Sequence, residues 1–277
     1  MIHVHLPMVY KYRSSLPLGA AVYSGNLANR DYLSALANYQ QITPEVEGGY
    51  WWVCEHGWGG MDKLVEFAHG HGQDIFYHCL RWCCDQQPTD PEAWMIEAIS
   101  RYPDIQAWDV VNEGYLYNGT PTLPDIEGIY RLAHECNPTA DMYYNGQFYG
   151  VGEQEAVKRL VLSGLVDGVG IEMHHRPGCD LSIYLPFVKW LQVNKVPWRI
   201  SEYEYLIPDY TPEWLELQAW AYKSTVQMAL DYGASEFCTW GFTDAVSWEA
   251  YAHPMPFDDK YQPKPAWYSI QATLIGE

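Results

Sequence analysis

Eight times along this chain a short run rich in β-branched or aromatic residues is followed by a segment with helical spacing. No linker, low-complexity run or internal repeat interrupts that rhythm. The strand-like runs fall at residues 16–22, 39–43, 74–78, 105–112, 140–145, 168–174, 198–203 and 236–241. The helical segments fall at 27–38, 61–69, 91–102, 124–136, 152–163, 181–194, 212–232 and 265–274. Strict strand–helix alternation calls for a parallel sheet with its helices outside, and eight units close it into a (β/α)8 TIM barrel of the α/β class. A single catalytic barrel over residues 1–277 is expected, with 1–14 as an N-terminal extension. Helix starts carry their own signals. Asn26 and Asp90 read as N-caps, and Thr211 precedes Pro212 in the first turn of the longest helix.

Barrel enzymes place their chemistry at the C-terminal ends of the strands. Two strands here deliver a carboxyl group to that rim. Trp108-Asp109-Val110-Val111 ends in Asn112-Glu113, and Val196-Pro197-Trp198-Arg199-Ile200-Ser201 ends in Glu202. A pair of carboxyls facing each other is the minimum equipment for cleaving a glycosidic bond, one donating a proton and the other attacking or stabilising the sugar carbon. Across a barrel mouth they can approach to about 5–5.5 Å, the separation for retention of configuration. Glu204 lies on the same strand face as Glu202 and competes for its role. Glu45, after Pro44, is a further strand-end carboxyl.

Composition narrows the partner. Lys+Arg is 16 against 35 Asp+Glu, a net charge of −19, which argues against nucleic acid and anionic membranes. No run of about 18 apolar residues is present, so no transmembrane helix is expected. With 13 Trp and 23 Tyr, rings are plentiful for stacking on sugar faces, and a neutral polysaccharide or oligosaccharide fits as substrate. A monomer is expected. The seven cysteines show no zinc-type spacing, and most read as small core residues. The N-terminus lacks the pattern of a signal peptide, which leaves a cytoplasmic protein or a mature secreted form.

In this order the segments resemble glycoside hydrolase family 10, the endo-β-1,4-xylanases, over nearly the whole chain. The resemblance rests on Gly19-Ala20-Ala21-Val22, Thr43-Pro44-Glu45, His78-Cys79-Leu80-Arg81-Trp82, Trp108 to Glu113, Asp167-Gly168-Val169-Gly170 with His174, Ile200-Ser201-Glu202-Tyr203-Glu204, Trp240-Gly241-Phe242-Thr243-Asp244 with Ser247-Trp248, and Pro263-Lys264-Pro265-Ala266. It implies Glu113 as acid/base and Glu202 as nucleophile, with no cofactor and no metal. It implies that His174 bonds the nucleophile and is oriented by Glu204, where the family usually has Asp. Asn112 would hold the sugar 2-hydroxyl, His78 and Trp82 would line the −1 sugar, Trp240 and Trp248 would wall it, and Glu45 would contribute to a subsite.

Departures from the family pattern concern the sugar-binding shell. Val46 and Gly49 stand where Asn and Lys usually bind the distal sugar, which predicts a remodelled −2 subsite, with Trp51 or Trp52 as replacements. Glu172 stands where Gln is usual, and an added carboxyl should raise a pKa in the cluster. The fifth-strand motif reads Tyr144-Asn145-Gly146-Gln147-Phe148 and Cys83 replaces a histidine. Two rivals remain at this point: a barrel glycosidase for another β-glycan or short oligosaccharide, and a carbohydrate-binding pseudoenzyme. His3-Val4-His5 alone suggests a different chemistry, that of a metal-dependent hydrolase.

Overall fold

The computed structural model describes residues 16–276. His3-Val4-His5 and the expected 1–14 extension lie outside them. In chain order the elements are β1 (Leu18–Val22), α1 (Arg30–Leu36), β2 (Gln41–Pro44), α2 (Tyr50–His56), α3 (Gly59–His71), β3 (Asp74–Tyr77), β4 (Arg81–Trp82), α4 (Pro91–Arg101), β5 (Ala107–Asn112), α5 (Ile126–Cys136), β6 (Asp141–Gly146), α6 (Val151–Leu162), β7 (Gly168–His175), α7 (Leu185–Val193), β8 (Trp198–Tyr205), α8 (Pro212–Asp231), β9 (Phe237–Thr239) and α9 (Pro265–Ile275).

All strand pairings are parallel, and they close. β1 pairs with β2 and β9, and β3 pairs with both β2 and β5, so eight strands form the ring and β4 continues β3 along β5. Strands covered on both faces can be apolar throughout. β1 is buried at all five positions and β8 at all eight. The helices turn one stripe inward: α5 buries Ile126, Ile129, Tyr130 and Ala133, the spacing of a single helical face.

Caps set several helix starts. Asp90 Oδ1 accepts from the Ala93 amide at 3.0 Å, as expected. The first cap is Asn29, not Asn26: Asn29 Oδ1 accepts from Asp31 and Tyr32 at 2.9 and 3.3 Å, while Asn26 ends a short 3-10 turn. Thr211 holds the cap position of α8, yet its side chain makes no capping bond. Pro212 still pre-sets the first turn.

Two further corrections concern segments where periodicity gave no guide. The helix α2 was not expected; none of its seven residues is fully buried, so no apolar stripe marks it. The third strand breaks after Tyr77 and resumes at Arg81, which carries Trp82 level with Asn112. The cysteines also differ from expectation. Only Cys79 and Cys238 are buried, Cys54, Cys84 and Cys179 are exposed, and all seven are free thiols. No helix among the described residues is long and apolar enough to cross a membrane.

Candidate active site

Register brings the rim residues together. In the β7–β8 pair Glu172 lies level with Glu202 and His174 with Glu204. This alignment follows a bulge. Ile171 still faces Ile200, so Ser201 is an extra residue on β8, and beyond it the carboxylates come into line. Glu113 follows β5 directly and adopts the left-handed region at φ 49°, a strained conformation for a residue with a long side chain. Its amide donates to the Asn145 carbonyl at 2.8 Å and its carbonyl accepts from Thr122 Oγ1 at 2.9 Å, which fixes the turn.

Each oxygen of the Glu113 carboxyl has one donor. Trp82 Nε1 donates to Oε2 and Gln147 Nε2 to Oε1, both at 2.7 Å. Glu202 is almost fully buried. Asn145 Nδ2 donates to its Oε1 at 2.8 Å, and His174 Nε2 faces its Oε2 at 3.2 Å. The other nitrogen of His174 faces Glu204 Oε1 at 2.7 Å. Burial by itself would lower the pKa of His174, but the hydrogen bonds to Glu202 and Glu204 outweigh it and carry the value up to about 10. The ring is therefore a cation that donates from both nitrogens. Glu172, His174 and Glu202 offer atoms within 4.8 Å of one another, the spacing of a metal site, where a metal would have to displace the His174 proton.

His78 forms a second buried pair, its Nδ1 lying 2.8 Å from Asp109 Oδ2 and 3.9 Å from Glu202 Oε1. Burial works against its charge, and the bond to Asp109 with the nearby Glu202 raises its pKa nonetheless. Trp240 packs edge-on to His78 at 5.1 Å and to His174 at 6.3 Å. Trp248 stands edge-on to His174 at 5.8 Å and donates Nε1 to both oxygens of Glu204 at 3.2 Å. The loop that carries both indoles is pinned from below. Lys264 Nζ reaches Asp244 Oδ2 at 2.8 Å in a fully buried ion pair, and Asp244 Oδ1 accepts from the Met255 amide at 2.8 Å.

The expected site residues thus form a cluster, with one exception. Asn112, Glu113, Trp82, His78, Glu172, His174, Glu202, Glu204, Trp240 and Trp248 are joined by the contacts above and by Asn145, whose Nδ2 also donates to Asn112 Oδ1 at 2.9 Å and Glu172 Oε1 at 3.1 Å. Glu45 belongs to another part of the rim. Its electrostatic partners are Glu47 and Tyr32, and burial followed by repulsion from Glu47 pushes its pKa up to about 7. The added carboxyl at Glu172 does raise a pKa in the cluster, its own: burial first, then Glu202, Glu113, Glu153 and Asp109, push it well above the usual range.

Four residues of the cluster lay in the quoted motifs but were given no site role from sequence: Asp109, Asn145, Gln147 and Ser201. Asp109 had a signal, since an acid inside a buried strand needs a partner. Asn145 had one too, at the end of β6, where the strand-end rule applies. Gln147 and Ser201 gave none.

Beside Glu113 opens a cavity of about 440 Å3, lined by Cys83, Tyr115, Leu116, Tyr117, Gln147 and Tyr149 among others. A closed parallel barrel with two glutamates on its C-terminal rim, indoles around them and a cavity beside one of them defines a class, the barrel glycoside hydrolases. Residues 8–273 match the model of glycosyl hydrolase family 10, and the chain belongs to that family. It is 27% identical over 308 aligned positions to endo-1,4-beta-xylanase 3 of Hypocrea jecorina, covering 97% of this chain and 85% of that one. It is 28% identical to endo-1,4-beta-xylanase B of Thermotoga neapolitana, covering 77% and 73%. In fold it is similar to native xylanase 10B from Thermotoga maritima, with a TM-score of 0.85 at 23% identity over 94% of this chain and 95% of that one.

Proposed function

We propose that the protein hydrolyses β-1,4-linked xylan or xylo-oligosaccharides within the chain and with retention of anomeric configuration. The observation that carries this reading is the linkage of the two rim glutamates. Glu202 is bonded through Asn145 to Asn112, the residue before Glu113, so nucleophile and acid/base are positioned by one hydrogen-bonded unit. The relatives' names supply the substrate class. Glu113 protonates the leaving oxygen on the side of the 440 Å3 cavity, which takes the departing sugars. Glu202 attacks the sugar carbon from the opposite face, oriented by His174 and Asn145. Glu113 then takes a proton from water, and the hydroxide equivalent releases the sugar from Glu202. Asn112 holds the sugar 2-hydroxyl, where a hydrogen bond strengthens in the oxocarbenium-like transition state.

The −2 subsite is altered. A Cβ added at Gly49 would meet Cδ1 and Nε1 of Trp51 at 3.4 Å, so the Trp51 indole stands against that place. The half-buried Trp51 and Trp52 stand nearby, Trp52 stacked on His56 at 4.0 Å and edge-on to Tyr23 at 5.7 Å. An aromatic platform takes over from polar contacts there, and this change supports a second reading, action on a different β-linked glycan. Product analysis on xylan and on an aryl β-xylobioside, with wild type beside Glu113→Gln and Glu202→Gln, tests the proposal. Loss of turnover in both variants and retention in the wild-type product support it. Inversion, or unchanged turnover in either variant, sinks the mechanism. Sugar binding without turnover in wild type points to a binding protein. A strong rate gain on filling −2 with linear xylo-oligosaccharides would contradict the altered subsite.

A further inference from the structure

The side-chain amide of Asn145 has two hydrogens and faces three acceptors. Its orientation is set at the other end, where Oδ1 accepts from Ser201 Oγ at 2.5 Å. Nδ2 therefore points at Glu202 Oε1, Asn112 Oδ1 and Glu172 Oε1, at 2.8, 2.9 and 3.1 Å. Two hydrogens cannot serve three oxygens fully. The closer two take them, and Glu172 is left with the longest, shared contact. Among the described residues Glu172 has no other hydrogen-bond donor, although only 3% of it is exposed.

A buried carboxylate without a donor of its own is strongly disfavoured, whereas a buried carboxylic acid brings its own proton. The charges around Glu172 act in the same direction. Glu202 faces it from β8, with Glu204 further along that strand. Asp109 and Glu113 act from β5, and Glu153 acts from α6. The cations nearby are His174 and His78, and each is already engaged, His174 between Glu202 and Glu204 and His78 with Asp109. Burial and these carboxylates hold Glu172 well above the ordinary carboxylic range.

We propose that Glu172 is a neutral carboxylic acid in the working protein, a positioning residue that leaves both hydrogens of Asn145 to Glu202 and Asn112. Once ionised, Glu172 competes for those hydrogens and sets a second negative charge beside Glu202, so the unit that aligns Glu202 with Asn112 comes apart. This role rests on the hydrolytic function proposed above, but the protonation itself does not, so the two are tested separately.

The test has a spectroscopic arm and a kinetic arm. Difference infrared spectroscopy of the full chain at a pH of about 8.5 looks for the carbonyl stretch of a protonated carboxyl group. At that pH Glu45, Glu153 and Glu236, all near 7, are mostly ionised. The band is expected in wild type and absent in Glu172→Gln. It is also expected to weaken at that pH in Glu202→Gln, which removes the nearest negative charge. No such band in wild type at about 8.5, or a band that persists in Glu172→Gln, overturns the proposal, and neither reading needs catalysis. Should Glu172→Gln fail to fold, the wild-type band and its response to Glu202→Gln still decide. In the kinetic arm, the alkaline limb of log kcat/KM is one unit steeper at the highest pH in wild type, where Glu172 ionises, than in Glu172→Gln. Glu172→Gln lacks that extra steepening, whatever its absolute rate. Equal slopes in the two proteins refute the positioning role. Absence of hydrolysis by wild type with the band present refutes the function and leaves the protonation standing.

Discussion

Replacing His174 by Asn should flatten the dependence of stability on pH between about 6.5 and 10. The ring lies between Glu202 and Glu204 at 3.2 and 2.7 Å, and its pKa rises from the ordinary 6.5 to about 10. At about 1.36 kcal/mol per pH unit, a rise of that size corresponds to roughly 5 kcal/mol of preference for the charged form in the native state. The side chain keeps 24% exposure, and solvent screening reduces the figure to about 2–4 kcal/mol. The sign follows from linkage. A raised histidine pKa means that the native state holds a proton the unfolded chain has released, so the stabilisation is complete below about 6.5 and is lost as pH rises through about 10. Urea unfolding of wild type and His174→Asn at pH about 6, 8 and 10 measures it. The wild-type advantage should shrink by about 2–4 kcal/mol across the series. An advantage that stays constant from pH 6 to 10 would mean that His174 is neutral, and would refute the two-carboxylate account of its charge.

Trp82→Phe removes the indole donor to Glu113; a hydrogen bond is worth about 0.5–3 kcal/mol across neutral and charged partners, so kcat/KM should fall about threefold to a hundredfold, and a change under about twofold would show that Trp82 does not hold the carboxyl. Asn145→Ala deletes four hydrogen-bond contacts at once; positioning of both glutamates is lost, and kcat should drop by about a hundredfold or more with little change in KM, whereas a rise in KM alone would make Asn145 a simple sugar contact. Lys264→Met leaves Asp244 buried without its cation, at a cost of about 3–5 kcal/mol; for 277 residues at about 2.1 cal/mol/K per residue the melting temperature should fall by about 5–9 °C, and an unchanged value would show that Asp244 takes up a proton at no cost.

The barrel was legible because its strands and helices obey simple periods. The run that became β1, Leu18–Val22, is apolar on both faces and buried throughout, a pattern a covered parallel sheet requires. The glutamates were legible because strand ends are where barrels expose reactive groups. What escaped the sequence was two-body geometry. Asn145 matters because of what stands level with it on β5 and across the mouth on β8, and that arrangement follows from the bulge at Ser201. Glu45 was found by the same rule as Glu113: both end strands, and β2 and β5 deliver to different stretches of the rim. The helix α2 was missed because a short, half-exposed helix carries no periodic signal.

The single extra residue on β8 sets limits on how this enzyme can diverge. Glu172, Glu202 and Glu204 take their neighbours from the alignment of β7 with β8, so gaining or losing one residue in either strand would exchange them for Met173 and Tyr203 all at once. No gradual route leads through such a change. The barrel wall is therefore frozen, and variation is free only where chain length does not alter the alignment, in the segments leaving the strands. Val46, Gly49 and Trp51 lie in one such segment, and Tyr115, Tyr117 and Tyr149 lie in others. A lineage built on this scaffold can change the surface around the mouth without disturbing the carboxyl cluster held between β7 and β8.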